Sequence, residues 1–226
     1  MARMPAPFPL AWLPAAAALM PLLATAVAWT LSLAHGHIEA CNVFWDGCTS
    51  ISRAARHGLG NHVFRALVLP CAMLQILFWW LCRRWLRLQG RDPGMALPVL
   101  GLVAGAFLIL YATFLGTEGS IYQLLRRYGV IVYFAATYLA LLLVLRQLAR
   151  GPADRLHRPL LIVALVKLGL GLATVAVSAL VVDEAVSYRW ENVLEWQLGI
   201  WLTVMFALFA WRWRGLAAQL QLPSPR

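Results

Sequence analysis

The residues best suited to chemistry in this chain lie in one polar segment, from His35 to about Arg65. That segment holds four of the five histidines and two of the four cysteines, which are His35, His37, His57, His62, Cys41 and Cys48. Imidazole and thiolate groups bind zinc, and they also act as bases and nucleophiles at neutral pH. If the chain carries out chemistry or specific recognition, we expect it in this segment.

The spacing of these residues marks neither a metal site nor a catalytic pair. The histidines could supply zinc ligands, but no standard ligand spacing is present, and histidines at the membrane edge are poorly placed to ligate haem. Ser50 or Ser52 with His57 could form a nucleophile and its base, yet the same spacing occurs in ordinary polar loops. The sequence contains no nucleophile elbow, P-loop, zinc-protease or dinucleotide motif. We therefore predict no metal and no cofactor, and we expect the histidines to form hydrogen bonds at the interface.

Six apolar runs surround this segment and predict the fold. Of the 226 residues 62% are hydrophobic and 12% charged, and the charges are missing from long blocks, as in membrane spans. The runs are about Leu10–Leu33, His62–Cys82, Met95–Leu115, Tyr128–Leu145, Pro159–Val182 and Glu195–Trp211. At about 1.5 Å per residue, runs of about 20 residues match a hydrocarbon core of about 30 Å. The sequence predicts an all-α, polytopic, six-transmembrane-helix bundle that forms a single domain over residues 1–226, with the fourth helix starting near Ser120.

The arginines orient these spans. Segments on the side of the two termini hold 12 cations and two acids, whereas segments on the other side hold six cations and seven acids. Positive residues collect on the cytoplasmic side, so we predict that both termini are cytoplasmic and that the polar segment lies outside. Because the cations flank apolar runs, the net charge of +10 indicates membrane orientation and not nucleic-acid binding. Arginine supplies 18 of the 19 cations, a composition that favours a bacterial inner membrane.

Cys41 and Cys48 then lie in an oxidising compartment. A disulfide that closes this short loop would stabilise the fold by about 2.5 kcal/mol on the chain-entropy model. Two unpaired thiols are the alternative. Cys71 and Cys82 fall in or beside the second span, where we expect them to be inert packing residues.

Two features inside the predicted spans bear on packing. Lys167 is a charge deep within the fifth run, where it costs about 3 kcal/mol unless it snorkels to the interface or finds a buried partner.

Gly101 and Gly105 form a G-x-x-x-G pair, and Gly169 with Ala173 forms a second pair of small residues. Such pairs let helices approach closely, and we predict that they pack within the bundle and not in a dimer.

Motifs at three places in the chain resemble the Frag/DRAM/Sfk family of membrane proteins. They are Cys48-Thr49-Ser50-Ile51-Ser52 followed by Val63-Phe64-Arg65, then Arg126, Arg127, Gly129 and Phe134 at the fourth span, and Glu195-Trp196 with Phe209-Ala210-Trp211 at the last. Their order along the chain and their membrane side carry the resemblance. It implies a membrane protein concerned with lipid handling or lipid organisation, in a family without an agreed catalytic mechanism.

The leading hypothesis is an integral membrane protein that binds, organises or helps remodel membrane lipids at the outer leaflet, without a catalytic centre. Arginine and polar groups there could hold lipid phosphate through charge-assisted hydrogen bonds. The expected site residues are Ser50, Ser52, His57, Arg65, Arg126, Glu195 and Trp196. The alternative is a lipid-remodelling enzyme that uses histidine, serine and acidic residues on the outer side. A transporter is disfavoured because ionisable groups are almost absent from the spans.

We further predict an ion pair between Arg65 and Glu195. These residues open the second and sixth spans on the same side, so they lie at similar depth. Each charge would be costly alone at the headgroup boundary, and a bidentate arginine–carboxylate bond would relieve both. The alternative is that Arg65 binds lipid phosphate while Glu195 faces water.

Overall fold

The computed structural model describes residues 8–218, which form six long helices and three short elements. The elements are β1 (Phe8–Pro9), α1 (Trp12–Ala34), α2 (Ile51–Ala54), α3 (Gly58–Leu88), α4 (Ala96–Phe114), α5 (Ser120–Ala149), α6 (His157–Leu180), α7 (Glu184–Arg212) and β2 (Ala217–Ala218). All helices except α2 are long and apolar enough to cross a membrane. The predicted all-α bundle is confirmed, and the chain is an integral, multi-pass membrane protein. Arg3 and Arg226 of the charge count lie outside the described residues.

The six long helices are arranged as a ring. Each packs against two neighbours, in the order α1, α3, α4, α5, α6, α7 and back to α1. The seam between α5 and α6 is the weakest of the six. Helix α6 buries only Leu160, Val163, Ala164 and Lys167, all in its first half. The second half of α6 therefore adds little to the core.

Both ends of the described chain lie at one end of the bundle, which we call the terminal end. There β1 pairs antiparallel with β2, and the Leu10 N–H donates to the Leu216 carbonyl at 2.9 Å. Arg212 also binds Asp154 in the α5–α6 loop, with Nη2 and Oδ2 2.9 Å apart. Burial alone would raise the pKa of Asp154, but the Arg212 guanidinium and a backbone N–H lower it below its usual range. The opposite end carries residues 35–57, and we call it the disulfide end.

Aromatic side chains fill the core near the terminal end. The Phe78 ring of α3 lies 5.2 Å from Phe206 and 4.9 Å from Phe209 of α7, both in edge-to-face geometry. Trp79 and Trp213 adjoin the same cluster and are fully buried. Edge-to-face pairs add to the gain from burial alone, so this cluster fixes α3 against α7 across the bundle.

The first glycine pair packs as predicted, within the bundle. A Cβ at Gly101 would overlap the Trp79 side chain, and one at Gly105 would overlap Ile76. These two glycines therefore let α4 lie directly on α3. The second pair does not bring two helices into close contact, because a Cβ at Gly169 would meet nothing within 4 Å among the described residues.

Three helices begin a full turn or more before the apolar runs indicate. Helix α7 starts at Glu184, well before Glu195, because Asp183 accepts hydrogen bonds from the Ala185 and Val186 N–H groups at 2.9 and 3.1 Å. Helix α3 begins at Gly58 instead of His62. Helix α5 begins at Ser120, as expected, although Gly119 takes the N-cap position. Hydropathy thus locates the membrane part of a helix and misses its polar extension.

The structure contradicts the snorkelling of Lys167. Its side chain is 5% exposed, and Nζ makes no hydrogen bond within the described part of the chain. The ammonium nitrogen lies 6.0 Å from the centre of the Phe134 ring. Lys167 is therefore enclosed between helices, beside an aromatic face that attracts a cation weakly at this distance.

Candidate functional site

The segment between α1 and α3 folds over the disulfide end of the bundle. Cys41 and Cys48 are joined as a disulfide, with their Cα atoms 6.4 Å apart. Within the closed loop, the Asp46 carboxylate accepts the Asn42 N–H at 3.0 Å. The loop is therefore held by a covalent bond and by a hydrogen bond across its turn.

Helix α2 is a single turn, and specific bonds fix its place. The Ser50 hydroxyl accepts the Arg53 N–H at 3.0 Å, so Ser50 is the N-cap. At the other end, Ser32 of α1 donates to the Ala54 carbonyl at 2.6 Å. A helix this short has little stability of its own, and these bonds set the position of the residues that follow.

Three side chains from one face of α7 receive this segment. The bonds run from Asn192 Nδ2 to the Gly47 carbonyl (2.8 Å), from Trp196 Nε1 to the Thr49 carbonyl (2.9 Å) and from the Ser52 N–H to Glu195 Oε1 (3.3 Å). Residues three and four apart lie on the same face of a helix, which is why all three reach one segment. The polar segment therefore docks on the start of the sixth span.

Gly47 permits this docking. Its φ is +62°, a conformation that L side chains rarely adopt, and a Cβ there would overlap the Arg189 carbonyl. The backbone of the disulfide loop consequently lies directly on α7.

The predicted Arg65–Glu195 ion pair is wrong. Glu195 accepts a backbone N–H at the start of α2, and the described residues contain no ion pair of Arg65. At this end of the bundle α2 lies on α7, so the Glu195 carboxylate meets the Ser52 N–H instead. Equal depth in the membrane therefore did not bring the two side chains together.

An apolar cavity of about 300 Å³ lies inside the bundle. Its lining comes from α1, α3, α4, α5 and α7 and from the docked segment, and it includes Phe44, Phe64, Tyr133, Phe134, Trp196 and Ile200. Almost every group that faces it is hydrocarbon or aromatic. The cavity can thus accept an apolar chain.

A second, polar pocket of about 260 Å³ adjoins the first. Its lining residues are Ser52, Arg56, Tyr111, Gln123, Arg126, Arg127, Val130 and Glu195. Tyr111, Val130 and Glu195 line both spaces. Together the two spaces form a site that is apolar within the bundle and cationic at its polar end.

Arg126 is the most firmly held of the pocket arginines. Its side chain is buried, and Nη1 donates to the Phe114 and Thr117 carbonyls at 3.0 and 2.5 Å. Phe114 ends α4 and Thr117 follows it, where backbone acceptors lack helical partners. Arg126 therefore fixes the α4–α5 connection and also lines the pocket.

Three of the four histidines predicted as important form a stack at the disulfide end. The ring centres of His35 and His37 are 6.0 Å apart, and those of His37 and His57 are 4.8 Å apart. Burial and then the neighbouring charges of His37, Arg56 and Arg53 lower the pKa of His57. No group of three or more potential metal ligands occurs among residues 8–218.

The serine–histidine pair that the sequence left open does not form within the described residues. Ser50 uses its hydroxyl as a helix cap, and the His57 ring stacks on His37. His57 also lies outside the lining of both spaces. A hydrolytic site of this kind would need contacts that the two serines and His57 do not make.

The structure gathers part of the predicted set and adds to it. Ser52, Arg126 and Glu195 line the polar pocket, and Trp196 lines the apolar cavity, whereas Ser50, His57 and Arg65 line neither. Sequence reasoning missed Arg56, Tyr111 and Gln123. Arg56 directly precedes His57 in the polar segment, and this position could have marked it as a site residue. Tyr111 lies in an apolar run, where an aromatic residue normally indicates packing.

Comparison of the chain with protein-family models, curated proteins and solved structures gives no match. The family resemblance therefore stays a prediction, and the two adjacent spaces are the feature that indicates a function.

Proposed function

We propose that this chain binds membrane lipid at the outer leaflet, with a lipid chain in the apolar cavity and the polar part of the lipid in the arginine-lined pocket. One observation carries the proposal. Tyr111, Val130 and Glu195 line both spaces, so the two spaces are adjacent and offer apolar walls to a lipid tail and arginines to its polar head.

The apolar space favours a lipid over a polar solute. Its walls offer little to a polar group, which would lose its hydrogen bonds with water on entering. An apolar chain instead gains dispersion contacts with walls such as Phe64 and Phe134. Acyl chains are the abundant apolar molecules around a membrane-spanning bundle.

The proposed leaflet follows from charge and redox chemistry. Arginines are concentrated in the segments at the terminal end, and such segments are retained in the cytoplasm. The Cys41–Cys48 disulfide lies at the opposite end, which suits an oxidising compartment. Both arguments support an outer position for the polar pocket.

A matched pair of threonines tests the lipid site. Thr203 lines the apolar cavity, whereas Thr174 of α6 does not, and each hydroxyl bonds the carbonyl four residues earlier. We expect Thr203→Trp to fill the cavity and remove a co-purifying lipid seen by native mass spectrometry, whereas Thr174→Trp retains it. Wild-type protein without bound lipid, or equal lipid in both variants, would contradict the proposal.

Lipid remodelling is the second candidate function. Ser52, Tyr111 and Glu195 meet near the junction of the two spaces, where the ester linkage of a bound lipid would lie. Incubation of purified protein with labelled phospholipid separates the two functions. We expect binding without turnover; turnover that Ser52→Ala or His57→Ala abolishes would replace the binding function by an enzymatic one.

A further inference from the structure

We infer that the polar pocket recognises the phosphate of an anionic lipid headgroup, through Arg56 and Arg126 with Arg127 at the rim. This inference rests on the proposed function and names the class of lipid that the site selects. Its basis is an excess of guanidinium groups that lack acidic partners, next to an apolar cavity.

The charge balance of the pocket is strongly positive. Three arginines line it, against the single carboxylate of Glu195. The ion pairs found in residues 8–218 join Arg83 and Arg87 to Asp92 and Arg212 to Asp154, so none uses a pocket arginine. Glu195 is committed to the Ser52 N–H. At the edge of a low-dielectric bundle, uncompensated cations attract an anion more strongly than they would in bulk water.

Arg126 provides a preorganised donor. It is 8% exposed, and the Phe114 and Thr117 carbonyls hold its Nη1. Its Nε and Nη2 make no hydrogen bond in the described chain and are not among the sealed, unpartnered atoms. They therefore keep some exposed surface, and Arg126 lines the pocket. A guanidinium fork held in this way can bind two phosphate oxygens with little further loss of side-chain entropy.

The order of chemical groups along the site matches that of a phospholipid. The first space has apolar walls, Tyr111 and Glu195 line both spaces, and Arg56 and Arg126 line only the polar one. A phospholipid presents its acyl chain, then its polar linkage and then its phosphate in the same order. Free phosphate could also meet the arginines, but it would leave the apolar cavity without a role.

The contacts of the arginines decide which of them is replaced in the test. Arg126→Gln would also release the α4–α5 connection, so loss of binding in that variant would be ambiguous. The Arg56 side chain makes no hydrogen bond or ion pair in the described chain, and Arg56 lines the pocket. Arg53 precedes it by three residues, lies outside the pocket and contacts the Tyr188 ring instead. Arg56→Gln is thus the test, and Arg53→Gln is its control for local charge.

The ligands are dioctanoylphosphatidic acid and dioctanoylglycerol, which share their chains and differ in the phosphate. Titration calorimetry in detergent should show the phosphate form binding about tenfold tighter or more to wild-type protein and to Arg53→Gln. Arg56→Gln should reduce this preference to about threefold or less. The preference should also weaken between about 0.01 M and 1 M salt, as screening increases.

Each other outcome has a distinct meaning. Equal affinity for both lipids would overturn phosphate recognition and leave the lipid-binding function intact. No binding of either lipid would overturn both. Inorganic phosphate should not displace the phosphate lipid at an equal concentration; displacement would identify a site for free phosphate and overturn the lipid source. An unchanged preference in Arg56→Gln would remove Arg56 from the recognition.

Discussion

The indole nitrogen of Trp196 donates a hydrogen bond to the Thr49 carbonyl at 2.9 Å, and this bond ties the disulfide loop to the sixth span. The same indole lines the apolar cavity. One side chain therefore holds the loop in place and forms part of the wall of the proposed lipid site.

Replacing this indole should loosen the loop. Trp196→Phe retains most of the apolar surface but leaves the Thr49 carbonyl without its donor, a loss of about 1–2 kcal/mol. We expect a lower unfolding temperature in detergent. Trp190→Phe is the control, because Trp190 is 53% exposed; an equal loss in both variants would show that the hydrogen bond is not the cause.

Arg65 and Glu195 should behave independently. Because Glu195 is bound to the Ser52 N–H and not to Arg65, the effects of Arg65→Ala and Glu195→Ala on thermal stability should add. We expect a coupling energy below about 0.5 kcal/mol in a double-mutant cycle. A larger coupling energy would show that Arg65 and Glu195 interact, as the sequence predicted.

His57 should make the protein less stable in mild acid. Burial and the charges of His37, Arg56 and Arg53 lower its pKa in the folded state, whereas the unfolded chain retains a value near 6.5. Below about pH 6.5 the unfolded state therefore binds more protons, and stability falls as pH falls towards the folded-state pKa.

The measurement is the change in unfolding temperature between about pH 7.5 and pH 5.5. We expect a smaller loss in His57→Gln than in wild-type protein. His62→Gln, an exposed site on α3, should respond like wild type. If His57→Gln also loses stability as wild type does, other groups cause the acid sensitivity.

Labelling in intact cells should define the orientation. After reduction, Cys41 and Cys48 should react with a membrane-impermeant maleimide from outside, and a cysteine introduced at Ala153 should react only once the cytoplasm is opened. Replacing Cys71 and Cys82 by serine or alanine removes the two buried thiols from the labelling reaction. The reverse pattern would place the arginine-lined pocket on the cytoplasmic side.

The number and order of the spans could be predicted because a helix in lipid must be apolar over its whole crossing. The polar start of α7 could not, since Glu184, Arg189 and Glu191 interrupt the apolar run. Asp183 was the available signal, as a side chain that can cap a helix.

Less of the candidate site than of the fold could be predicted from the sequence. Glu195 and Trp196 were found, but the partner of Glu195 is a backbone N–H, and sequence patterns do not identify backbone donors from a distant segment. Tyr111 was missed because an aromatic residue in an apolar run normally indicates packing. Only the ring order of the helices brings it beside Arg56.

The pairing of β1 with β2 places residues 8 and 218 side by side. A short linker could therefore join these two positions, and the chain could be reopened in the α4–α5 or α5–α6 connection without separating any pair of adjacent spans in the ring. This chain is thus suited to circular permutation, which would let reporter domains be attached at either end of the bundle while the disulfide loop stays docked.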